Sequence, residues 1–156
     1  MKTLYYDRNI KGKAFQRFIP FMGEMFPVFS LTTGRVRPRR DDEDIILERF
    51  DPFLIEKKEV LEWPGTRILP WGDGVCTLYK YRSCDGSLRI LVTETDRLFN
   101  WNGRGGPGDL AFYREDGTNS FGTVAHEGYC FFNFTKEELE RLKRAFPYIR
   151  WNVKKR

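Results

Sequence analysis

The chain has 156 residues, of which 40% are hydrophobic and 16% aromatic, so it is long and apolar enough for a single folded domain with a substantial core. Its single histidine, His126, excludes any metal site or proton relay that needs two imidazoles from one chain. The net charge of +5 resides in residues 136–156, which carry eight Lys or Arg against three Glu, and residues 1–135 sum to zero.

The cysteines and the hydropathy pattern indicate a compartment. No apolar stretch reaches the length of a signal peptide core or a membrane span. Cys76, Cys84 and Cys130 are odd in number and lack the CxxC spacing of zinc and redox sites. We therefore expect a soluble, cytoplasmic protein with free thiols and no membrane contact, and we expect neither a cofactor nor a bound metal.

The N-terminal segment, residues 1–40, is rich in aromatic side chains. Phe15, Phe18, Ile19 and Met22 recur at the spacing of one helix face. Pro20 interrupts this face, which predicts two short helical pieces or a kink. The apolar stripe serves either as core or as an interface for a partner.

An abrupt reversal of charge follows. A basic run in residues 35–40 is succeeded at once by the acidic residues 41–44, and this composition predicts an exposed loop or extended segment. Asp51 and Pro52 are typical of a helix start, and residues 53–62 then form a short amphipathic helix that ends at the breaker of residues 63–65. A strand across part of residues 53–62 is the alternative.

Two alternating segments, Val75–Arg82 and Leu88–Thr95, flank the turn signal Asp85-Gly86 and predict a β-hairpin. In this hairpin Tyr81 faces Ile90. On the opposite face Arg82 lies directly opposite Arg89, and Lys80 is nearby. Because like charges in that position repel, either the register differs or these cations face an acidic partner.

A consecutive antiparallel meander is predicted over Leu110–Arg114, Phe121–His126 and Tyr129–Phe134, separated by the turn signals Asp116-Gly117 and Glu127-Gly128. In this register Cys130 lies opposite Ala125. The last strand is apolar on nearly both faces, so it should be central in the sheet, with helices or loops covering its second face.

The C-terminal element carries the clearest local signals. Thr135 and Glu138 have the spacing of a capping box, Pro147 ends the helix over residues 135–146, and alternating residues 149–153 form a final strand. The fold class is α+β: one domain over residues 1–156, with short N-terminal helices and a β-rich core over residues 66–153 that contains an antiparallel meander at about 66–134.

The loop over residues 100–109 has the most functional composition. Its four glycines leave the backbone uncovered, and three side chains offer stacking and hydrogen bonding: Trp101, Asn102 and Arg104. The loop is not a phosphate loop, since no Gly-Lys-Ser/Thr follows its glycines. A connector whose tryptophan packs into the core is the alternative.

The leading hypothesis is a non-enzymatic protein-binding domain that sequesters or neutralises another protein. Its surface would combine the Trp101–Arg104 loop with Lys80, Arg82 and Arg89, because Trp and Arg often dominate binding energy, and its partner would be acidic. The small size and the aromatic antiparallel sheet are similar to those of bacterial toxin-immunity proteins, a likeness of type that involves no specific motif. That likeness implies a toxin as the partner.

Two other classes of function are open. RNA or single-stranded DNA could stack on alternating aromatic residues of the sheet, helped by the basic C-terminus; these residues are Tyr79, Tyr81, Phe112 and Phe132. A metal-dependent hydrolase or nuclease would need His126 or the acidic residues 41–44, although His126 and Glu127 should point to opposite faces of a strand.

Overall fold

A computed structural model describes residues 3–34, 41–68, 75–103 and 106–151, with the backbone alone for residues 41–44. The described part is a mixed α+β structure with four helices, a seven-stranded antiparallel sheet and a two-stranded sheet. This confirms the predicted fold class. The strands are β1 (Leu4–Tyr6), β2 (Val28–Thr33), β3 (Leu54–Val60), β4 (Glu62–Trp63), β5 (Thr66–Arg67), β6 (Cys76–Arg82), β7 (Gly108–Tyr113), β8 (Asn119–Val124) and β9 (Tyr129–Phe132), and the helices are α1 (Lys13–Met25), α2 (Asp41–Phe50), α3 (Asp85–Glu94) and α4 (Lys136–Ala145).

The order of strands in the large sheet is β1-β9-β8-β7-β2-β6-β3, and every neighbouring pair is antiparallel. The consecutive meander β7-β8-β9 confirms the prediction for residues 110–134. Strand β9 is interior but not central as predicted, because only the three-residue β1 lies between it and the margin of the sheet. Strand β2 comes from the aromatic N-terminal segment and lies between β6 and β7, a pairing that no local pattern indicates.

One face of the large sheet carries a row of aromatic rings. Register neighbours on five strands place Phe29, Tyr81, Phe112, Phe121 and Phe132 side by side, with adjacent ring centroids 5.0 to 6.3 Å apart. All five side chains are buried, and the same core includes residues of all four helices: Phe18, Leu47, Leu91 and Leu142. The helices therefore cover this face, which we call the helix face.

The β4-β5 hairpin covers part of the opposite face. A second cluster of buried residues there consists of Trp63, Ile68, Cys76 and Leu78. The indole Nε1 of Trp63 donates a hydrogen bond of 2.8 Å to Oδ2 of Asp109 on β7. Apolar burial and one buried polar contact thus hold the hairpin against the sheet.

Helix α1 is continuous through Pro20, so the prediction of two separate pieces is wrong. Pro20 and Gln16 are both exposed residues, so proline removes the amide donor to the Gln16 carbonyl on the solvent side of the helix. Phe15, Phe18, Ile19 and Met22 are buried. The apolar stripe is therefore core.

Two predictions of local structure between residues 53 and 95 are wrong. Residues 54–60 form β3 and not a helix, because they pair with β6, and only residues 51–53 form a short 3-10 turn; the alternative of a strand is confirmed. The turn signal Asp85-Gly86 begins α3 and not a hairpin. The Cys84 amide donates to Ser87 Oγ at 3.0 Å, and Leu88 and Leu91 are buried at helical spacing.

The capping box of α4 is confirmed, since Glu138 N donates to Thr135 Oγ1 at 3.2 Å and Thr135 N to Glu138 Oε2 at 2.8 Å. The final strand is wrong for residues 149–151, where the Ile149 amide bonds the Phe146 carbonyl in a turn; residues 152 and 153 lie outside the described part. Residues 41–44 open α2 and are not a loop, whereas residues 35–40 are not described. No helix in the described ranges has the length and apolar character that crossing a membrane requires.

Candidate binding surfaces

Trp101 follows a 3-10 turn over Leu98–Asn100 and is only 3% exposed. Its ring lies 6.3 Å from that of Phe50, the last residue of α2. The predicted exposure of Trp101 is therefore wrong, because α2 covers the start of the loop, and the alternative of a core tryptophan is confirmed. Asn102 is half-buried and forms an isolated bridge with Gly108, while Arg104 lies outside the described residues, so binding by these two stays a prediction.

A cleft of about 430 Å³ lies beside this loop, between Ile46 of α2, Glu94 of α3 and Trp101. Glu94 already forms an ion pair with Arg49. The Nε1 atom of Trp101 has no hydrogen-bond acceptor in the described part of the chain, but protein atoms cover it completely. A small molecule in the cleft could reach that N–H only after the surrounding side chains moved.

The predicted cationic face is not formed, because α3 replaces the second strand of the hairpin. Lys80 lies on β6 opposite Ser30, with its Nζ 3.9 Å from Glu56 Oε2 and 4.6 Å from the centroid of the Tyr113 ring. Arg82 is exposed at the end of β6, and Arg89 is exposed on α3. The repulsion expected between the two arginines on opposed strands therefore does not arise.

Ser30, Lys80 and Tyr113 share the face of the sheet opposite the helices. Ser30 Oγ and the Tyr113 hydroxyl are 2.9 Å apart and both side chains are buried. Burial raises the pKa of Tyr113 to about 12, against a smaller lowering from the hydrogen bond with Ser30. This hydroxyl stays protonated at neutral pH and fills a structural role within the sheet.

His126 lies in a 3-10 turn over Ala125–Glu127, with its side chain 42% exposed and its Nε2 3.8 Å from Glu127 Oε1. The prediction that these two side chains point apart is wrong, because the backbone here is helical and not extended. Cys130 lies opposite Thr123 and not Ala125; it is fully buried, and burial raises the pKa of its thiol. No cysteine–histidine pair is formed between them.

The residues proposed for nucleic acid and metal binding are placed as follows. Tyr79, Tyr81, Phe112 and Phe132 are all buried in the core of the helix face, so their rings are not available to stack on bases. The side chains of residues 41–44 are not described. In the part of the chain whose side chains are placed, no group of three or more His, Cys, Asp or Glu residues is arranged to hold a metal ion.

Strand β3 is the last strand of the sheet and has one free edge. It pairs on one side with β6, with Glu56 opposite Lys80 and Val60 opposite Cys76, and the register shifts between Leu54 and Glu56. On its other side, no strand of the described ranges pairs with it. The residues from Leu54 to Glu59 are all exposed, so within the described part of the chain this edge is open to a further strand.

Exposed apolar side chains concentrate at this edge. Six large apolar side chains are exposed in the described structure, and four of them lie on β3 or directly beside it: Leu54, Ile55, Leu61 and Val75; the other two are Ile45 and Tyr148. Because Val60 is opposite Cys76, Leu61 and Val75 lie together at one end of the edge. Leu54 and Ile55 lie at its other end.

Four charged residues occupy the middle of β3. Lys58 Nζ is 3.4 Å from Glu56 Oε1, so these two form an ion pair within the strand. Lys57 lies opposite Tyr79, with its Nζ 5.4 Å from that ring, which places it on the helix face. Neither Lys57 nor Glu59 has an oppositely charged group within 4 Å among the side chains that the structure describes.

Sequence reasoning missed this edge because residues 53–62 were predicted to be helical. Apolar residues at both ends of a charged centre also fit an amphipathic helix, and nothing local indicates pairing with β6, about twenty residues away. The sequence carries no apolar–polar alternation here that could have found it, since four charged residues stand together between two apolar pairs over residues 54–61.

We call Leu54–Leu61 together with Val75 the β3 edge.

Comparison of the chain with protein family models, with curated proteins and with solved structures found no match.

Proposed function

We propose that this chain is a protein-binding domain that accepts an extended segment of its partner along the β3 edge. The observation that carries the proposal concerns the described residues: four of their six exposed large apolar side chains lie at a strand whose outer edge none of their strands covers. Such an edge binds a partner strand through backbone hydrogen bonds, while its side chains select the partner's sequence.

The chemistry of the β3 edge defines the segment it would accept. The apolar ends would pack against apolar residues of the partner. In the centre, Lys57 and Lys58 would select acidic residues, and Glu56 and Glu59 would select basic residues. The partner segment therefore needs both acids and bases, and is not simply acidic. A domain that holds a partner in this way would sequester or neutralise it, as immunity proteins do with their toxins.

The first test locates the surface in cells. A photo-crosslinking residue at position 55 should join the protein to its partner, whereas the same residue at position 45 should not. Ile45 is the matched control, since the two isoleucines are 56% and 54% exposed. Equal cross-linking at both positions, or none at position 55, contradicts the proposal.

The second test measures affinity for the protein identified in this way. Ile55→Asp should raise its dissociation constant by at least about tenfold, because it puts an unpaired charge into the interface, and Ile45→Asp should change it less than about twofold. Both variants should fold, since both side chains are largely in solvent. An unchanged constant for Ile55→Asp would remove the β3 edge from the interface.

We also propose that the protein works in the cytoplasm. Cys76, Cys84 and Cys130 are all free thiols, and two of them are buried. Proteins of oxidising compartments usually use their cysteines in disulfides, so three free thiols support a reducing environment. Fractionation of the native cells, followed by immunodetection, tests this; recovery in a secreted fraction would contradict it.

A further inference from the structure

We propose that, in the free protein, the strand accepted by the β3 edge is β3 of a second copy of this chain, which joins the two seven-stranded sheets into one. This inference rests on the proposed function of the β3 edge, and names its occupant. A different partner protein would then have to displace the second copy.

Symmetry limits how two copies of β3 can pair. A two-fold axis that makes antiparallel strands neighbours in one sheet runs perpendicular to that sheet, so opposed residues come from the same face. Since side chains alternate between faces, a residue is opposite either itself or a residue an even number of positions away. The pairing is thus described by the one residue that meets its own copy.

Four residues could lie at this centre, and the charges discriminate between them. Centres at Glu56 or Glu59 place lysines opposite apolar residues and form no ion pair. A centre at Lys57 places Glu56 opposite Lys58 of the other copy, and a centre at Lys58 places Lys57 opposite Glu59 of the other copy. Only the last two are electrostatically complementary.

Contacts within the chain favour the centre at Lys58. Glu56 and Lys58 already neutralise each other at 3.4 Å, whereas Lys57 and Glu59 have no opposite charge within 4 Å among the described side chains. The pairing would form Lys57–Glu59 twice, once on each side of the axis. It would also bring Ile55 of each copy beside Leu61 of the other, which covers the two most exposed apolar side chains of the β3 edge.

This register has two costs: Lys58 is opposite its own copy, and Glu56 is opposite Val60 of the other copy. Each Lys58 has Glu56 of its own chain beside it, so the centre of the interface carries balanced charge. Of the other registers, centres at Glu56 or Glu59 leave lysines opposite apolar residues. A centre at Lys57 opposes Lys57 to its own copy, and among the described side chains Lys57 has no carboxylate within 4 Å to balance it. The charged centre of β3 therefore permits one defined pairing while it discourages the irregular strand pairing to which free edges are prone.

Charge exchange tests the interface and its register together. Sedimentation equilibrium of the wild-type protein should show a species of twice 18.5 kDa. Lys57→Glu and Glu59→Lys should each raise the dimer dissociation constant by at least about tenfold, because each opposes like charges twice. The double variant, and an equimolar mixture of the two single variants, should dimerise within about threefold of the wild type.

The mixture is the decisive control. Each chain in it keeps its single substitution, so opposite charges can face each other only where one variant contacts the other. Failure of the mixture to dimerise overturns the inference. Rescue by Glu56→Lys with Lys58→Glu instead overturns the register. If the wild-type protein is a monomer at about 1 mM and position 55 cross-links to a different protein, the inference of a second copy is wrong and the proposed function stands. If it is a monomer and position 55 cross-links to nothing, both are wrong.

Discussion

Asp109 has a backbone φ of 52° and its side chain is 8% exposed, an unfavourable conformation for a residue with a side chain. Its carboxylate accepts hydrogen bonds from Trp63 Nε1 at 2.8 Å and from the Ala125 amide at 3.4 Å. These contacts tie β7 to the β4-β5 hairpin and to the turn after β8, and they stabilise the strained backbone.

We expect Asp109→Ala to lower the free energy of unfolding by about 1–3 kcal/mol, because it leaves the buried indole N–H without an acceptor. Asp109→Asn should cost less, since an amide oxygen can accept the same bond and asparagine tolerates a positive φ. Urea denaturation of the three proteins measures both values. Equal losses in the two variants would show that the hydrogen bond contributes little.

Arg114 and Glu138 form the most complete ion pair of the described structure, with Nε to Oε1 at 2.9 Å and Nη2 to Oε2 at 2.5 Å. Burial raises the pKa of Glu138, but hydrogen bonds from Arg114 and Thr135 outweigh burial and leave it below its ordinary value. A carboxyl group whose pKa is lower in the folded state contributes stability above its unfolded pKa. That contribution is lost as the pH falls through the folded pKa.

Glu138→Gln should therefore destabilise the protein at pH 7 and weaken the loss of stability between neutral and acidic pH. Glu137→Gln is the control, because Glu137 is an exposed residue of the same first helical turn and senses the same helix dipole. Urea denaturation across this pH range compares them. Parallel curves for both variants would contradict a specific role for the Arg114 pair.

At the scale of elements, the β4-β5 hairpin depends on a close approach at its turn. Gly65 has a φ of +84°, and a methyl group there would lie 2.7 Å from Phe131 Cε1 and 2.8 Å from Val124 Cγ2. Gly117 has a φ of +86° with nothing within 4 Å. The two glycines therefore have equal backbone strain and differ in contact.

Gly65→Ala should lower the free energy of unfolding by about 1–3 kcal/mol more than Gly117→Ala, because both substitutions strain the backbone and only the first collides with the sheet. Thermal or urea denaturation gives the difference directly. A difference near zero would mean that the hairpin moves away from the sheet at little cost, and that the second face is only loosely covered.

Elements whose signals are local could be predicted from the sequence, and elements decided by distant contacts could not. Helix α4 carries its capping box, apolar face and terminating proline within thirteen residues, and the structure matches all three. Asp85-Gly86 is equally compatible with a hairpin turn and a helix start, and the burial of Leu88 and Leu91 under α1 decides for α3. The exposure of Trp101 that the binding loop requires could not be judged from the sequence for the same reason, since Phe50, about fifty residues away in the chain, packs against its ring.

At the scale of the whole molecule, the sheet is held together by β2. This strand comes early in the chain and joins the β7-β8-β9 meander to β6, with Phe29 opposite both Tyr81 and Phe112. Its residues from Phe29 to Thr33 are buried. Strand β6 pairs with β2 on one side and with β3 on the other. The position of the β3 edge therefore depends on the pairing of β2 with β6, two distant segments whose pairing the sequence pattern does not reveal.

Hydrogen exchange should follow this architecture. Amides of β2 are bonded on both sides and buried, so we expect them to exchange only through global unfolding, whereas three-residue β1 at the sheet margin should exchange through local opening. Strand β3 should resemble β1 in dilute protein and become protected as concentration rises, because a second copy would cover its outward amides. Hydrogen exchange followed by mass spectrometry at two protein concentrations measures all three strands in one experiment. Equal exchange in β1 and β2 would contradict the central role of β2, and concentration-independent exchange in β3 would leave its edge open in the free protein.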